Sequence, residues 1–163
     1  MTDTSKFVFT AQLTNVLRET FVGPPGPWTY FTDNRPGVGL LSTLQGTTAD
    51  VASSASRPDS STIAGHVAHL VTSLTQSGEL LRKPTGLRDR PKSDWTVSSV
   101  SESSWDQLRK ELAKEYERFL RSILEKSDWD EDSLGAAIGA AAHCAYHLGA
   151  IRQRLASSGK LKT

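Results

Sequence analysis

The four histidines of this chain form two close pairs, and no other residues concentrate metal-binding side chains in this way. His66 and His69 are three residues apart, and His143 and His147 are four apart. In a helix, both spacings place side chains on one face, one turn apart. If the two helices are neighbours, three or four imidazoles converge, which suits a divalent ion such as zinc or nickel. The pattern therefore predicts a metal site.

The histidines also have a simpler interpretation as buried core side chains with hydrogen-bond partners. An unpaired buried polar group costs about 1–3 kcal/mol, so each buried ring needs a partner in either case. Two pairs on two helices favour the metal site, but the spacing does not decide which member of the first pair binds. At about 100° per residue, His66 lies nearer the apolar stripe of its helix, and His69 lies almost opposite that stripe. Periodicity alone thus favours His66 as the inward residue and leaves His69 open.

Four long helices would position these histidines, and the spacing of apolar residues predicts all four. The first covers residues 9–21, the second begins near Ser60–Thr62 and ends at Lys83–Pro84, the third begins at Ser103 or Ser104, and the fourth is capped by Asp132 or Ser133 and ends near Ser157. Residues 28–56, with a short helix around Leu40–Leu44, and residues 84–104 form two long connections. Since almost no strand pattern occurs, we predict an all-α four-helix bundle in one domain, residues 1–163.

The fourth predicted helix carries no charged residue from position 134 to position 151. A helix that is apolar all round is predicted to be buried. Its large residues fall on one side, and they are Leu134, Ile138, Leu148, Ile151 and Leu155. His143 and His147 project from the other side, near the small residues Ala136, Gly139 and Ala140. These small residues leave room for a close helix or for a ligand.

Composition excludes several classes of protein. Lys and Arg total 19 against 18 for Asp and Glu, which argues against a nucleic-acid surface, because such surfaces need clustered basic residues. The single cysteine, Cys144, cannot form an internal disulfide, and the N-terminus lacks the pattern of a secretory signal. The uncharged run 133–151 is about as long as a membrane span, but it contains two histidines and follows four acidic residues. We therefore predict a cytoplasmic protein in which this run is a buried helix.

Three motifs together resemble one known family. They are Thr62-Ile63-x-x-x-Val67-x-His69-Leu70, Trp105-x-x-Leu108 and His143-x-x-Tyr146-His147-x-Gly149-x-Ile151-Arg152-Gln153. The set is similar to the DinB-like family, a large group of bacterial metal-binding four-helix proteins that includes the bacillithiol and mycothiol S-transferases. The resemblance spans predicted helices two to four, and the last motif is the most specific. It implies a three-histidine divalent site made by His69, His143 and His147, with His66 as a supporting or core residue. Periodicity keeps His66 as the substitute candidate for His69.

A site with three histidine ligands keeps at least one coordination position open, as catalytic metal sites do. That position can hold a water or a thiol whose deprotonation the metal favours. The resemblance implies either addition of a low-molecular-weight thiol to a substrate or metal-assisted hydrolysis of a small molecule. No general base is assigned, because Asp50, Asp59 and Glu79 have no distinctive spacing and are expected to be helix caps or surface charges.

Several residues near the motifs receive structural interpretations. Cys144 points about 100° away from His143, so we expect a buried apolar side chain rather than a fourth ligand. Tyr146 is expected to pack, although it could orient a substrate, and Gly149 is expected to permit a close helix contact. Arg152 and Gln153 are expected to contact a neighbouring loop or chain. The aromatic residues Trp28, Tyr30 and Phe31 either wall the mouth of the pocket or cover the end of the bundle.

Two other functional classes stay open from the sequence. The chain would be a metal-binding, stress-associated protein without catalysis, or a helical bundle whose histidines are structural and whose main property is dimerisation. A homodimer is compatible with all three interpretations, and no sequence feature tests it.

Overall fold

The computed structural model describes residues 3–57, 60–82 and 95–161, and within these ranges it contains six helices and no strand. The helices are α1 (Asp3–Phe21), α2 (Leu40–Gln45), α3 (Ala49–Ser53), α4 (Ile63–Arg82), α5 (Glu102–Glu125) and α6 (Glu131–Ser157). The prediction of an all-α protein is confirmed, as is the short helix around Leu40–Leu44. The short helix α3 was not predicted. The expected end of the second long helix at Lys83–Pro84 lies outside the described residues.

The long helices begin at residues whose side chains bind free backbone N–H groups. Thr62 accepts a hydrogen bond from the backbone N–H of Gly65 at the start of α4, within the stretch that the sequence indicates. The predicted caps of the other two helices are displaced by two or three residues. Ser101 caps α5, and Asp130 caps α6 in a reciprocal pair with Ser133. Both true caps precede the first helical turn, where an apolar stripe gives no signal.

The four long helices pack side by side around one apolar core. α4 lies against α5 and α6, and α1 lies against the same two helices from the other side. Contacts between helix ends give the directions. Leu81 at the end of α4 accepts a hydrogen bond from Lys126 just after α5, so α4 and α5 are parallel. His66 meets His147 while Ser73 meets His143, so α4 and α6 are antiparallel. The histidine-bearing helices are therefore direct neighbours.

The connection after α1 is organised by a buried carboxylate. Glu19, with no exposed surface, accepts hydrogen bonds from the backbone N–H groups of Tyr30, Phe31 and Thr32 and from the Thr32 hydroxyl. Burial opposes its ionisation, but the three backbone bonds and the hydroxyl together hold the pKa of Glu19 below its usual range. Charge-assisted bonds of this kind fix the path of a segment that has no regular structure.

Hydrogen bonds hold both the connection before α5 and the first turn of α5 against the α2–α3 region. The indole N–H of the fully buried Trp105 donates to the carbonyl of Thr47 between α2 and α3. The backbone N–H of Val100 donates to the hydroxyl of Ser53 at the end of α3. Residues 95–100 have no regular secondary structure, and Val97 crosses the start of α4 at Gly65. These contacts place Trp95, the first described residue of this segment, beside the histidines.

The prediction that α6 is buried on all sides is wrong. Leu148, Ile151 and Leu155 are buried, but Ile138 is 52% exposed and Gly135, Gly139, Ala142 and Tyr146 also face outward. The spacing of large apolar residues identifies one buried face of a helix. It does not show whether a face made of small residues is buried or exposed. Among the described helices, α6 is the one long and apolar enough to cross a membrane, and just under half of its most apolar stretch is buried in the protein.

Candidate metal centre

The two histidine pairs face each other across the α4–α6 contact. His66 and His69 lie in the first half of α4, and His143 and His147 lie near the middle of the antiparallel α6. All four rings belong to one cluster. The ring centroids of His69 and His143 are 4.8 Å apart, and those of His66 and His147 are 5.0 Å apart. The expectation that the two helices are neighbours and bring the imidazoles together is confirmed.

Three of the rings direct nitrogen atoms to a common point. The Nε2 atom of His143 is 2.9 Å from Nε2 of His69 and 2.9 Å from Nε2 of His147. One nitrogen from each of these three residues lies within 4.8 Å of the others. Zinc binds imidazole nitrogen at about 2.0–2.1 Å, so two ligands of one ion are separated by at most about 4 Å. The two distances around His143 are within that reach, and the 4.8 Å bound on the whole group exceeds it by less than 1 Å, so a small side-chain adjustment of His69 or His147 brings all three nitrogens onto one ion.

The chemistry of these nitrogens fits a cation better than hydrogen bonds among the rings. A neutral imidazole has one N–H and one lone pair. The single proton or lone pair on Nε2 of His143 can make a well-directed hydrogen bond to one neighbour, and the structure places two neighbours at the same short distance. A divalent ion among three lone pairs satisfies all three nitrogens at once. The residues present therefore fit a metal ion held by His69, His143 and His147.

The Nδ1 atoms of His143 and His147 have hydrogen-bond partners that hold the Nε2 atoms of both rings toward the common point. Nδ1 of His143 lies 3.0 Å from the hydroxyl of Ser73, and Nδ1 of His147 lies 2.8 Å from Nδ1 of His66. Nε2 of His66 in turn lies 3.3 Å from the hydroxyl of Ser61. If His143 and His147 donate from Nδ1, and His66 donates from Nε2, every one of these contacts is a hydrogen bond. The same proton positions leave the Nε2 lone pairs of His143 and His147 directed at the cluster.

This arrangement assigns a place to His66 that periodicity did not foresee. His66 is the more buried member of its pair, as predicted, but its Nδ1 atom contacts His147 rather than the point where the three Nε2 atoms meet. His69 is half-buried and belongs to the group of three. Periodicity reports the direction of a Cβ atom, and the position of a ring nitrogen depends also on the side-chain rotamer and on the neighbouring helix.

Burial keeps these imidazoles in the form that binds metal. Desolvation lowers the pKa of His66 to about 4, and the charges of Arg154 and His69 act in the same direction. Desolvation also lowers the pKa of His147 to about 3, helped by its three histidine neighbours. The pKa of His69 is lowered by burial and by His143. Neutral imidazoles are the ligands of divalent ions, so His66, His69 and His147 need no deprotonation step at neutral pH.

The aromatic side chains of Trp95 and Tyr146 border the cluster, and no sequence pattern assigns a role to Trp95. The indole of Trp95 stacks on His69, with ring centroids 4.4 Å apart and an angle of 13° between the planes. It also meets the edge of His66 at 5.2 Å. The ring of Tyr146 lies 5.1 Å from that of His147. Trp95 is distant from every histidine in the sequence, so no local motif could have placed it there.

The other residues that the sequence analysis singled out have different outcomes. Cys144 is buried outside the group of three histidines, as predicted, and burial raises the pKa of its thiol to about 12. Arg152 donates to the carbonyl of Val38, which confirms a loop contact. Asp50 and Glu79 are exposed, which agrees with surface charges. Asp59 lies outside the described residues.

Two expectations in this region are wrong. Tyr146 does not pack in the core, because its side chain is 67% exposed. Gly149 permits no close helix contact, since a Cβ atom at this position would meet nothing within 4 Å.

Phe31, in the connection after α1, does not form a wall of the histidine cluster. Its side chain lines a groove with Leu148 and Arg152 on the opposite face of α6.

Comparisons with known proteins give no name to this site. No protein-family model matches the chain, and no curated protein and no solved structure matches it either.

Proposed function

We propose that this protein is a metal-dependent enzyme of the DinB-like type, which holds one divalent ion with His69, His143 and His147. The observation that carries the proposal is the convergence of three imidazole nitrogens, with two separations of 2.9 Å around His143. Zinc and nickel are among the metals that imidazole ligands suit. The side-by-side packing of α1, α4, α5 and α6 supports a four-helix bundle as the fold behind the site.

The accessibility of the cluster favours catalysis over a purely structural ion. Structural zinc sites are closed by four protein ligands, whereas three ligands leave a position for water or substrate. His147 and His66 are buried, but His69 and His143 are half-buried, so the cluster is reached from their side. A divalent ion bound there supplies a Lewis acid that favours deprotonation of a water or a thiol.

The residues around the ligands have defined tasks in this proposal. Ser73 accepts the Nδ1–H of His143, and His66 accepts the Nδ1–H of His147, so both rings are held with Nε2 directed inward. Ser61 fixes the ring of His66 in turn. Trp95 covers one face of His69 and excludes water from it. Such partners tune ligand orientation and basicity in metal sites.

The reaction that we propose is transfer of a low-molecular-weight thiol to an electrophilic substrate, with metal-assisted hydrolysis of a small molecule as the alternative. Support for thiol transfer comes from the resemblance of the closing motif 143–153 to the family that contains the bacillithiol and mycothiol S-transferases. The site on the second and last long helices has the position that this resemblance implies. A cytoplasmic location and a homodimer are part of the same proposal, and size-exclusion chromatography with light scattering tests the dimer.

Thiol consumption tests the enzymatic proposal directly. Protein purified without an affinity tag or chelator is loaded with zinc or nickel and incubated with a low-molecular-weight thiol and a panel of electrophiles. We expect metal-dependent loss of thiol in the wild type and none in His147→Ala, which lacks one ligand. Cys144→Ala is the matched control, because it removes the only protein thiol and leaves the cluster intact.

The outcome separates the three classes. Metal binding without consumption of thiol, and without hydrolysis of ester or amide substrates, contradicts the enzyme and favours a metal-binding protein without catalysis. Absence of metal binding in the wild type favours a helical protein with structural histidines.

A further inference from the structure

The histidine cluster is open on one side, and small residues of α6 border the opening. His147 and His66 close the inner side, since both are buried. Among the neighbours of His143 on α6, the small residues Gly139 and Ala142 are exposed. A Cβ atom at Gly139 would meet nothing within 4 Å, so no described part of the chain fills the space outside this position. A ligand that approaches His143 from this side meets little steric obstruction.

Two exposed aromatic rings flank the same cluster on different elements. Trp95, on the segment before α5, is 46% exposed although one face of its ring stacks on His69. Tyr146, on α6, is 67% exposed although its ring contacts His147. The ring centroid of His147 lies 5.8 Å from that of Trp95 and 5.1 Å from that of Tyr146. Each ring thus has one face or edge on the cluster and part of its surface exposed.

The position of Trp95 is built into the backbone. The segment that carries it crosses α4 at Gly65, where a Cβ atom would lie 2.8 Å from the carbonyl oxygen of Val97. Val97 and Val100 pack against the core, and Val100 is bonded to Ser53. The close approach of the two backbones therefore holds the indole of Trp95 over His69.

The chemistry of these neighbours selects among ligands. Exposed aromatic rings attract either a second aromatic ring, by offset or edge-on stacking, or an organic cation. A divalent ion among His69, His143 and His147 repels an organic cation at this distance and attracts an anion. The arrangement therefore suits a ligand with an anionic head next to a flat ring.

We propose that the open side of the cluster, between Trp95 and Tyr146, binds an aromatic group of the substrate or thiol, while an anionic head of the same ligand takes the open coordination position. This inference rests on the proposed function, since it uses the metal site, and it adds the class of ligand that the site accepts. The enzyme then prefers aromatic over aliphatic ligands that carry the same head.

Hydroxamates with matched heads test this selectivity. The protein is loaded with Co²⁺, and the visible absorption bands of the metal are titrated with acetohydroxamate, cyclohexanecarbohydroxamate and benzohydroxamate. We expect benzohydroxamate to bind at least about 10-fold more tightly than acetohydroxamate, which corresponds to one stacked ring. We expect the cyclohexane compound to fall between them, because it is apolar but cannot stack.

Variants assign the preference to the two rings. Trp95→Leu and Tyr146→Leu are each expected to reduce the benzohydroxamate preference to below about 3-fold, with the affinity for acetohydroxamate unchanged within about 2-fold. Trp95→Phe is expected to keep most of the preference. Phe7→Leu is the matched control, because it removes an exposed ring near the start of α1, where Phe9 packs against Trp129.

Each result has one meaning. If Co²⁺ binds at one ion per chain and the three hydroxamates bind equally, or the cyclohexane compound equals benzohydroxamate, the aromatic selectivity is wrong and the metal site stands. If the preference survives both leucine variants, these rings do not cause it. If Co²⁺ does not bind, the proposed function and this inference both fail.

Discussion

The glycine at position 65 lets residues 95–97 pass close to α4, and this path places Trp95 on the histidine cluster. A Cβ atom there would lie 2.8 Å from the carbonyl oxygen of Val97 and 3.7 Å from Cε3 of Trp95. The first contact is shorter than real Cβ contacts, and the atom that must move belongs to the backbone. We predict that Gly65→Ala displaces residues 95–97 from α4, lifts Trp95 from His69 and destabilises the protein.

The magnitude follows from two opposing effects. Inserting a methyl group into a tight contact costs about 1–3 kcal/mol. Replacing a helical glycine by alanine stabilises by roughly 0.5–1 kcal/mol, and the gain is at the lower end here because Gly65 lies in the first turn of α4. The free energy of unfolding is therefore expected to fall by about 0.5–2.5 kcal/mol.

Gly78 provides a matched control on the same helix. Its Cβ position lies 3.8 Å from Cδ2 of Phe119, an ordinary van der Waals contact. Gly78→Ala is expected to raise the free energy of unfolding by about 0.5–1 kcal/mol, since the helix gains and nothing moves. Urea unfolding of the metal-free proteins at pH 7.5 measures both variants. A Gly65→Ala variant as stable as the wild type, or a stability change of the same sign in both variants, would refute this explanation.

Three further predictions follow from the cluster and from the buried carboxylate. His66→Leu is expected to weaken metal affinity about 10–100-fold at an unchanged stoichiometry, because His147 loses the acceptor for its Nδ1–H, and competition with a chelator of known affinity measures the loss. Lowering the pH from 7.5 to 5 is expected to reduce the stability of the metal-free protein by about 2 kcal/mol for each of the buried imidazoles of His66 and His147. The unfolded rings take up protons below about pH 6.5, whereas the folded rings do so only near pH 4 for His66 and pH 3 for His147. A flat stability profile over this range contradicts the neutral cluster. Glu19→Gln is expected to cost about 2–3 kcal/mol at pH 7, because the charge-assisted bonds to residues 30–32 are lost. The difference from wild type should shrink as the pH falls below about 4.5, because the unfolded carboxyl takes up a proton there while the native carboxyl, whose pKa is lowered, does so only at a lower pH.

The sequence was sufficient to predict the four long helices, because helical periodicity lies within one element. It predicted the meeting of the two histidine pairs on the condition that their helices are neighbours. The apolar residues of α4 and α5 repeat at helical spacing, and the pairs 66/69 and 143/147 lie on helices long enough to be neighbours. Helix caps were less well predicted. Ser101 and Asp130 precede the apolar stripe, and several nearby residues are equally good caps.

Three features of the site could not be predicted, because they depend on contacts between distant segments. Trp95 reaches His69 only through the path of the connection over Gly65. The hydrogen bond between His66 and His147 depends on the rotamers of both rings. The exposed face of α6 is composed of small residues, whose positions no hydrophobic pattern distinguishes from a buried face. The structure supplied each of these.

The central claim is that His69, His143 and His147 hold one divalent ion, and the metal content of the native protein tests it most directly. Protein purified without tag or chelator should contain about one zinc or nickel ion per chain by elemental analysis, as expected for one three-histidine site. His69→Ala, His143→Ala and His147→Ala should each lose the ion and retain helical circular dichroism. A metal-free wild type that also fails to bind added zinc or nickel, or an ion that remains when all three histidines are replaced, would contradict the claim.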